Sequence, residues 1–221
     1  MDNNFNENIE NIEENGGKPE RKKSKALCEL YDWVEVFAVS LSVVMILLMF
    51  VFRVVTVDGH SMEDTLYDGE LLVSSNLFYS PKDGDIVIFQ QSNSIFEGPL
   101  VKRVIAVGGE TIKLKFLSEK SLEVYVNGEK VDEDYAVYKD LIDVDAIHYA
   151  EFLEYYDGQY KMTLDGGFEM TVPDGYVFVM GDNRLHSSDS RTHYVGFVRE
   201  DVILGKAVLR LKPFNKFGKI E

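Results

Sequence analysis

The stretch Leu100-Val101-Lys102-Arg103-Val104-Ile105-Ala106-Val107, closed by Gly108-Gly109, decides how this chain folds. Its β-branched content and length predict a strand. Alternation puts Lys102, Val104 and Ala106 on one face and Val101, Arg103, Ile105 and Val107 on the other. Both faces are mostly apolar, so the strand is expected to be buried on both sides. Working outward, similar runs occur at Val54–Val57, Glu70–Val73 and Asp85–Phe89, the last set up by the turn signal Pro81-Lys82-Asp83-Gly84. Glu110–Phe116, Leu122–Val131, Gly175–Met180 and Lys206–Leu211 continue the pattern. Val126-Asn127-Gly128-Glu129 carries the Asn-Gly signal of a tight type I′ hairpin. Few helices are signalled in this part, so the expected class is mainly β and antiparallel.

The N-terminal part reads differently. Val36 to Phe52 runs without a charge, and Trp33 and Val34 extend it. Roughly 20 apolar residues cross a bilayer, so a transmembrane anchor is expected over residues 31–53. A cleaved signal peptide would have a shorter apolar core and a small-x-small site; Arg53-Val54-Val55-Thr56-Val57 follows instead. Lys18, Arg21, Lys22, Lys23 and Lys25 precede the span, and the first basic residue beyond Arg53 is Lys82. That asymmetry predicts a cytoplasmic N-terminus and an extracytoplasmic remainder at the cell membrane. Residues 1–30, rich in Asn and Glu, are expected to be a disordered tail.

After the anchor, a β core is expected over residues 54–131 and 172–221, interrupted at 132–171 by an acidic, Tyr-rich, solvated cap. Asp143 and Asp145 suggest a calcium loop, but Ile147 and His148 occupy the next ligand and glycine positions. No metal site is expected: His60, His148, His186 and His193 lack zinc spacing. There is no Gly-rich phosphate loop and no G-x-S-x-G elbow, so no cofactor is expected. The net charge of −15 argues against a nucleic-acid partner. The single Cys28 allows no internal disulfide.

Lys102 is the anomaly in its strand. An edge lysine that blocks aggregation is the plain reading. The chemical reading pairs it with Ser61 in Gly59-His60-Ser61-Met62-Glu63-Asp64-Thr65-Leu66, where Ser61 is the nucleophile and Lys102 the base. His60 adjoins Ser61, but consecutive residues in extended chain point opposite ways. With an ordinary pKa of about 10.4, only one lysine in roughly 2,500 is neutral at pH 7. Burial lowers a lysine pKa by up to ~3–5 units. Reaching about 8 costs on the order of 3 kcal/mol, and a strand apolar on both faces is where that cost could be borne.

Ser61-Met62-x-x-Thr65-Leu66, Lys102-Arg103, Gly181-Asp182-Asn183-Arg184 and Ser187-x-Asp189-Ser190-Arg191 resemble the signature boxes of the type I signal peptidases of peptidase family S26. Asp68-Gly69-Glu70 with Leu72-Val73, and Gly84-Asp85-Ile86-Val87, resemble the boxes between them. Those enzymes are membrane-anchored Ser/Lys proteases that remove signal peptides from exported preproteins after small-x-small sites. The resemblance implies an antiparallel β catalytic domain of the signal-peptidase/LexA-like fold, carrying an insertion. It implies Ser61 as acylating nucleophile and Lys102 as general base, with Ser187 hydrogen-bonded to Lys102. It further implies the ion pairs Asp189–Arg191 and Arg103–Asp182.

Substrate would add as a strand against shallow apolar pockets of Val57, Met62, Leu66, Leu100 and Val101. Gly59 stands where some relatives place an oxyanion-donating serine, as in the Gram-positive type, and Asp64 where many have Pro. Implied partners are preproteins, the lipid bilayer and the neighbourhood of the secretion translocon. Two other readings are weaker. A self-cleaving repressor would carry a DNA-binding motif and no span, and an inactive assembly factor should have lost Ser61 or Lys102.

Overall fold

The computed structural model describes residues 25–91, 96, 98–118, 121–138 and 148–220. The expected tail up to residue 24, with Lys18 to Lys23, lies outside them, as do the calcium-loop positions Asp143, Asp145 and Ile147. The chain divides into an N-terminal unit ending at Leu47 and a second unit from Leu48 onward. Helix α1 (Lys25–Val51) carries an apolar stretch, Glu29–Val51, of 23 residues and mean hydropathy 2.6. That length matches a bilayer crossing. The helix stops just short of the expected end at 53, because Phe52 and Arg53 already open strand β1 (Phe52–Thr56).

The second unit is built on two antiparallel sheets. The first contains β1, β2 (Leu71–Ser75), β3 (Ile86–Phe89), β4 (Leu100–Val107), β10 (Tyr176–Met180), β11 (Val198–Arg199) and β12 (Ile203–Lys212). Their spatial order is β1-β2-β12-β3-β4-β10-β11, with β13 (Gly218–Lys219) beside β12. The second sheet runs β7-β6-β5-β9-β8, from β5 (Thr111–Ser118), β6 (Ser121–Val126), β7 (Glu129–Lys130), β8 (Lys161–Met162) and β9 (Phe168–Thr171). Between β7 and β8 lies the short helix α2 (Tyr149–Tyr155).

Strand β4 has the bounds its sequence predicts, and its six inner residues are all buried. It also touches every part of the core. Ile105 and Ala106 join the cluster that includes the second sheet and α2, Val101 joins the one around Leu66 and Leu72, and Val104 the one around Phe89 and Val198. The Asn127-Gly128 turn has φ of 52° and 85°, the double positive φ that a type I′ turn requires.

Two features of the 132–171 segment differ from expectation. The sheets do not divide at residue 132, since β5 pairs with β6 along its length and with β9 from Thr111 to Leu114. Residues on either side of that boundary therefore form one sheet. Nor is the 132–171 segment merely solvated: Phe152 and Tyr156 are fully buried, and Phe168 and Met170 nearly so. The exposed carboxylates Glu154 and Asp157 beside these side chains hide this core in a composition count.

Candidate active site

Lys102 points from β4 into a cleft beside the loop that follows β1. Its Nζ lies 2.7 Å from Ser61 Oγ and donates to the Val101 carbonyl at 3.1 Å. Lys102 is 3% exposed, and among the described residues no carboxylate stands within ion-pairing distance of its Nζ. Burial lowers its pKa to about 8, although Asp189 and Asp182 farther off pull it up. His60 turns away from this contact. Its ring is mostly exposed, and Nδ1 lies 2.9 Å from Glu63 Oε1.

The turn after β10, Gly181–Arg191, forms the wall behind the dyad. Asp189 and Arg191 are fully buried and paired through two bonds, Nε–Oδ1 at 2.8 Å and Nη2–Oδ2 at 2.7 Å. Burial opposes charge on Asp189, yet the Arg191 guanidinium and the Gly181 N–H, 2.9 Å from Oδ2, hold its pKa down to about 2. Arg103, the next residue on β4, forks onto Asp182 at 2.9 and 2.8 Å and also donates to the Gly84 carbonyl. Thr65 Oγ1 donates to the same Asp182 at 2.6 Å.

The wall meets the Ser61 loop directly. Asn183 N–H donates to the Ser61 carbonyl at 3.0 Å, and its side-chain amide to the His60 carbonyl at 3.2 Å. Gly181 has to be glycine for this approach: a Cβ there would fall 2.5 Å from the Ser61 carbonyl oxygen and 2.2 Å from Ser187 Oγ.

One expected bond is not formed. Ser187 is buried, but among the described residues its hydroxyl makes no hydrogen bond to Lys102; the side chain it acts on is Asp189. Lys102 is oriented instead by the Ser61 hydroxyl and the Val101 carbonyl. Leu66 also departs from expectation. Val57, Gly59, Met62, Leu100 and Val101 line the cleft, whereas Leu66 lies in the core beneath, fully buried. The cleft has further walls that the sequence reading passed over, namely Asp58, Phe96, Pro99, His186 and Ser188. Four of these, all but Phe96, adjoin residues already singled out, which is the signal that could have found them.

The edge of β4 is open where the cleft begins. On one side, β3 pairs with it from Arg103 to Leu100. On the other, β10 pairs only from Val107 to Arg103 and then turns away into the wall. Leu100 to Lys102 thus keep one unpaired edge facing Ser61. A cleft of mixed polar and apolar lining, with a part-buried Ser/Lys contact and a free strand edge, defines a site for an extended peptide and for acyl transfer.

Comparison with known proteins agrees with this class. Residues 30–212 match the family model described as signal peptidase, peptidase S26. Signal peptidase I of Bacillus amyloliquefaciens is 32% identical over 205 residues, which cover 91% of this chain and 98% of the relative. Signal peptidase I of Bacillus caldolyticus is 38% identical over 185 residues, 81% of this chain and 90% of the relative. Signal peptidase IB of Staphylococcus aureus is 31% identical over 200 residues, 86% and 93% of the two chains. The chain belongs to the S26 signal peptidase family, and it is a serine endopeptidase anchored to a membrane through α1.

Proposed function

We propose that this protein removes N-terminal signal peptides from exported preproteins, with Ser61 as nucleophile and Lys102 as general base. The observation that carries the proposal is the 2.7 Å contact between Ser61 Oγ and a buried lysine without a carboxylate partner. The substrate adds as a strand along the open edge of β4 at Leu100–Lys102, opposite the segment from Val57 to Gly59. The shallow surface of Val57, Met62, Leu100 and Val101 accepts small side chains at the −1 and −3 positions.

Neutral Lys102 Nζ takes the Ser61 proton as Oγ bonds to the scissile carbonyl carbon. The Ser61 N–H has no hydrogen-bond partner among the described residues, so it is free to donate to the resulting oxyanion. The Lys102 ammonium then gives its proton to the departing amine, and the C–N bond breaks to leave an acyl-Ser61. Once the mature protein's N-terminus leaves, Lys102 takes a proton from water as the water oxygen bonds to the ester carbon. The C–Oγ bond then breaks, Lys102 returns that proton to Ser61 Oγ, and the signal peptide departs as a carboxylic acid that ionises in solvent. A pKa of about 8 suits both halves, since the same nitrogen has to accept and return a proton near neutrality.

Asp189–Arg191 and Arg103–Asp182 hold the wall in place while this happens. The basic residues Lys18 to Lys25 ahead of the span support a cytoplasmic N-terminus and a catalytic unit outside the plasma membrane. There the site meets preproteins near the translocon.

The test is mass spectrometry of a signal-peptide-bearing preprotein incubated with the detergent-solubilised protein, beside Ser61→Ala. A single cut after a small-x-small site, absent from the variant, is expected. No cut by the folded wild-type protein would turn the reading to a non-catalytic assembly factor.

A further inference from the structure

The inserted segment reaches the wall from behind at several points. Val137 bridges Asn183, its N–H donating to the Asp182 carbonyl and its carbonyl accepting from the Arg184 N–H. Tyr135 covers the Arg103 guanidinium at 4.0 Å, and Glu133 meets the buried Arg184. Tyr156 Oη donates to the Ser190 carbonyl at 2.8 Å. These contacts grip the two ends of the wall.

Its middle, Ser187, is reached from this segment by one side chain. His148 Nε2 lies 3.1 Å from the Ser187 carbonyl oxygen, which can only accept, so the bond is made with Nε2 protonated and donating. The ring is itself fixed. Its Nδ1 lies 3.1 Å from Glu151 Oε2, one turn into α2, and the other oxygen of Glu151 lies 2.7 Å from His193 Nδ1. His148 also sits at φ 50° and ψ 27°, the left-handed region, at the N-cap of α2. A bulky residue holds that conformation only when its surroundings over-determine it. Ser187 in turn stands between His186 and Ser188, both of which line the cleft.

We propose that His148 is a positioning residue for the dyad, holding the Ser187 carbonyl so that the wall stays closed over Lys102. The proposal rests on the Ser61–Lys102 reading. Groups that act on Lys102 from the surrounding elements are Ser61 in contact, and Asp189, Asp182 and Arg191 farther off. Burial is the largest influence on its pKa, so water admitted by a loosened wall restores the lysine towards its ordinary value.

Two isosteres separate positioning from folding. In His148→Gln the amide nitrogen takes the place of Nε2. In His148→Asn the backbone tolerates the left-handed region, but the amide is too short to reach Ser187. Kinetics on a preprotein substrate are expected to show His148→Asn with kcat about tenfold lower, the size of one hydrogen bond. Its KM should be unchanged and its rising pH limb shifted to higher pH. His148→Gln should recover kcat to within about twofold.

Glu151→Ala tests the link without touching the strained residue, and should lower kcat several-fold. Wild-type kcat and pH profile in His148→Asn and Glu151→Ala would overturn the proposal. So would equal impairment of the Gln and Asn variants. Cleavage that persists in Ser61→Ala would remove the dyad and this proposal with it. An inactive Ser61→Ala beside a fully active His148→Asn would remove this proposal alone.

Discussion

Lys102 and Arg103 are neighbours on β4, almost equally buried at 3% and 4% exposure, yet the protein treats the two charges in opposite ways. Arg103 receives a forked carboxylate from Asp182, a carbonyl from Gly84 and the face of Tyr135. Lys102 receives one hydroxyl and one carbonyl. Successive side chains on a strand face opposite ways, so one residue step separates two environments. A cation that must stay charged to hold the wall is given a counterion. A cation that must release its proton is denied one, and desolvation is left to lower its pKa.

The sharpest way to break this comparison is to remove the unpaired cation. Lys102→Ala is expected to lower kcat/KM on a preprotein by about 10³-fold or more, the scale of losing a general base. Circular dichroism should report an unchanged fold, and near-wild-type cleavage would show that the contact to Ser61 is only structural. Arg103→Met is expected to cost about 3–5 kcal/mol of unfolding free energy in denaturant titration, because it strands Asp182 as a buried unpaired charge.

Lys102→Met should do the reverse at pH 7, gaining up to about 3 kcal/mol, since burying an ammonium without a counterion is unfavourable. The sign follows from linkage. Between pH 8 and about 10.4 the unfolded chain binds the lysine proton more than the folded one does, so wild-type stability rises with pH there. The advantage of Lys102→Met should shrink over the same interval, and a constant difference would contradict an unpaired buried ammonium.

The pH profile gives the next effect. Only neutral Lys102 acts as base, so kcat/KM should climb about tenfold per pH unit up to a pKa near 8 and sit roughly 100-fold below its plateau at pH 6. A flat profile from pH 6 to 10 would remove the base. Smallest is Gly181→Ala, where relieving the overlap with the Ser61 carbonyl should cost about 1–3 kcal/mol of stability in thermal melts.

Much of this contrast was legible before any coordinates. A run apolar on both faces reads as a buried strand, and a lysine inside it stands out, although an edge lysine is the plain reading of its spacing. The Asn-Gly turn was legible because its chemistry is local. The support behind the wall was not. Val137 meets Asn183 across 46 residues of chain, and such pairing leaves no periodic trace. Helix α2 did leave one, since Tyr149, Phe152, Leu153 and Tyr156 stand at helical spacing, but the surrounding carboxylates argued for solvent. The bond expected of Ser187 failed for a different reason. Its hydroxyl is placed by contact with Gly181, and a sequence box carries the residue but not that distance.

Gly181 is where a backbone carbonyl of the nucleophile loop, a glycine Cα and the Ser187 side chain come together. In the language of machining it is a datum, a hard stop against which two parts are set. Hydrogen bonds tolerate a few tenths of an ångström with little cost, whereas van der Waals repulsion does not. The seating of Ser61 against its wall is therefore stiff in one direction and compliant in the other. An incoming peptide strand can draw the loop outward from this stop, but it cannot press it inward.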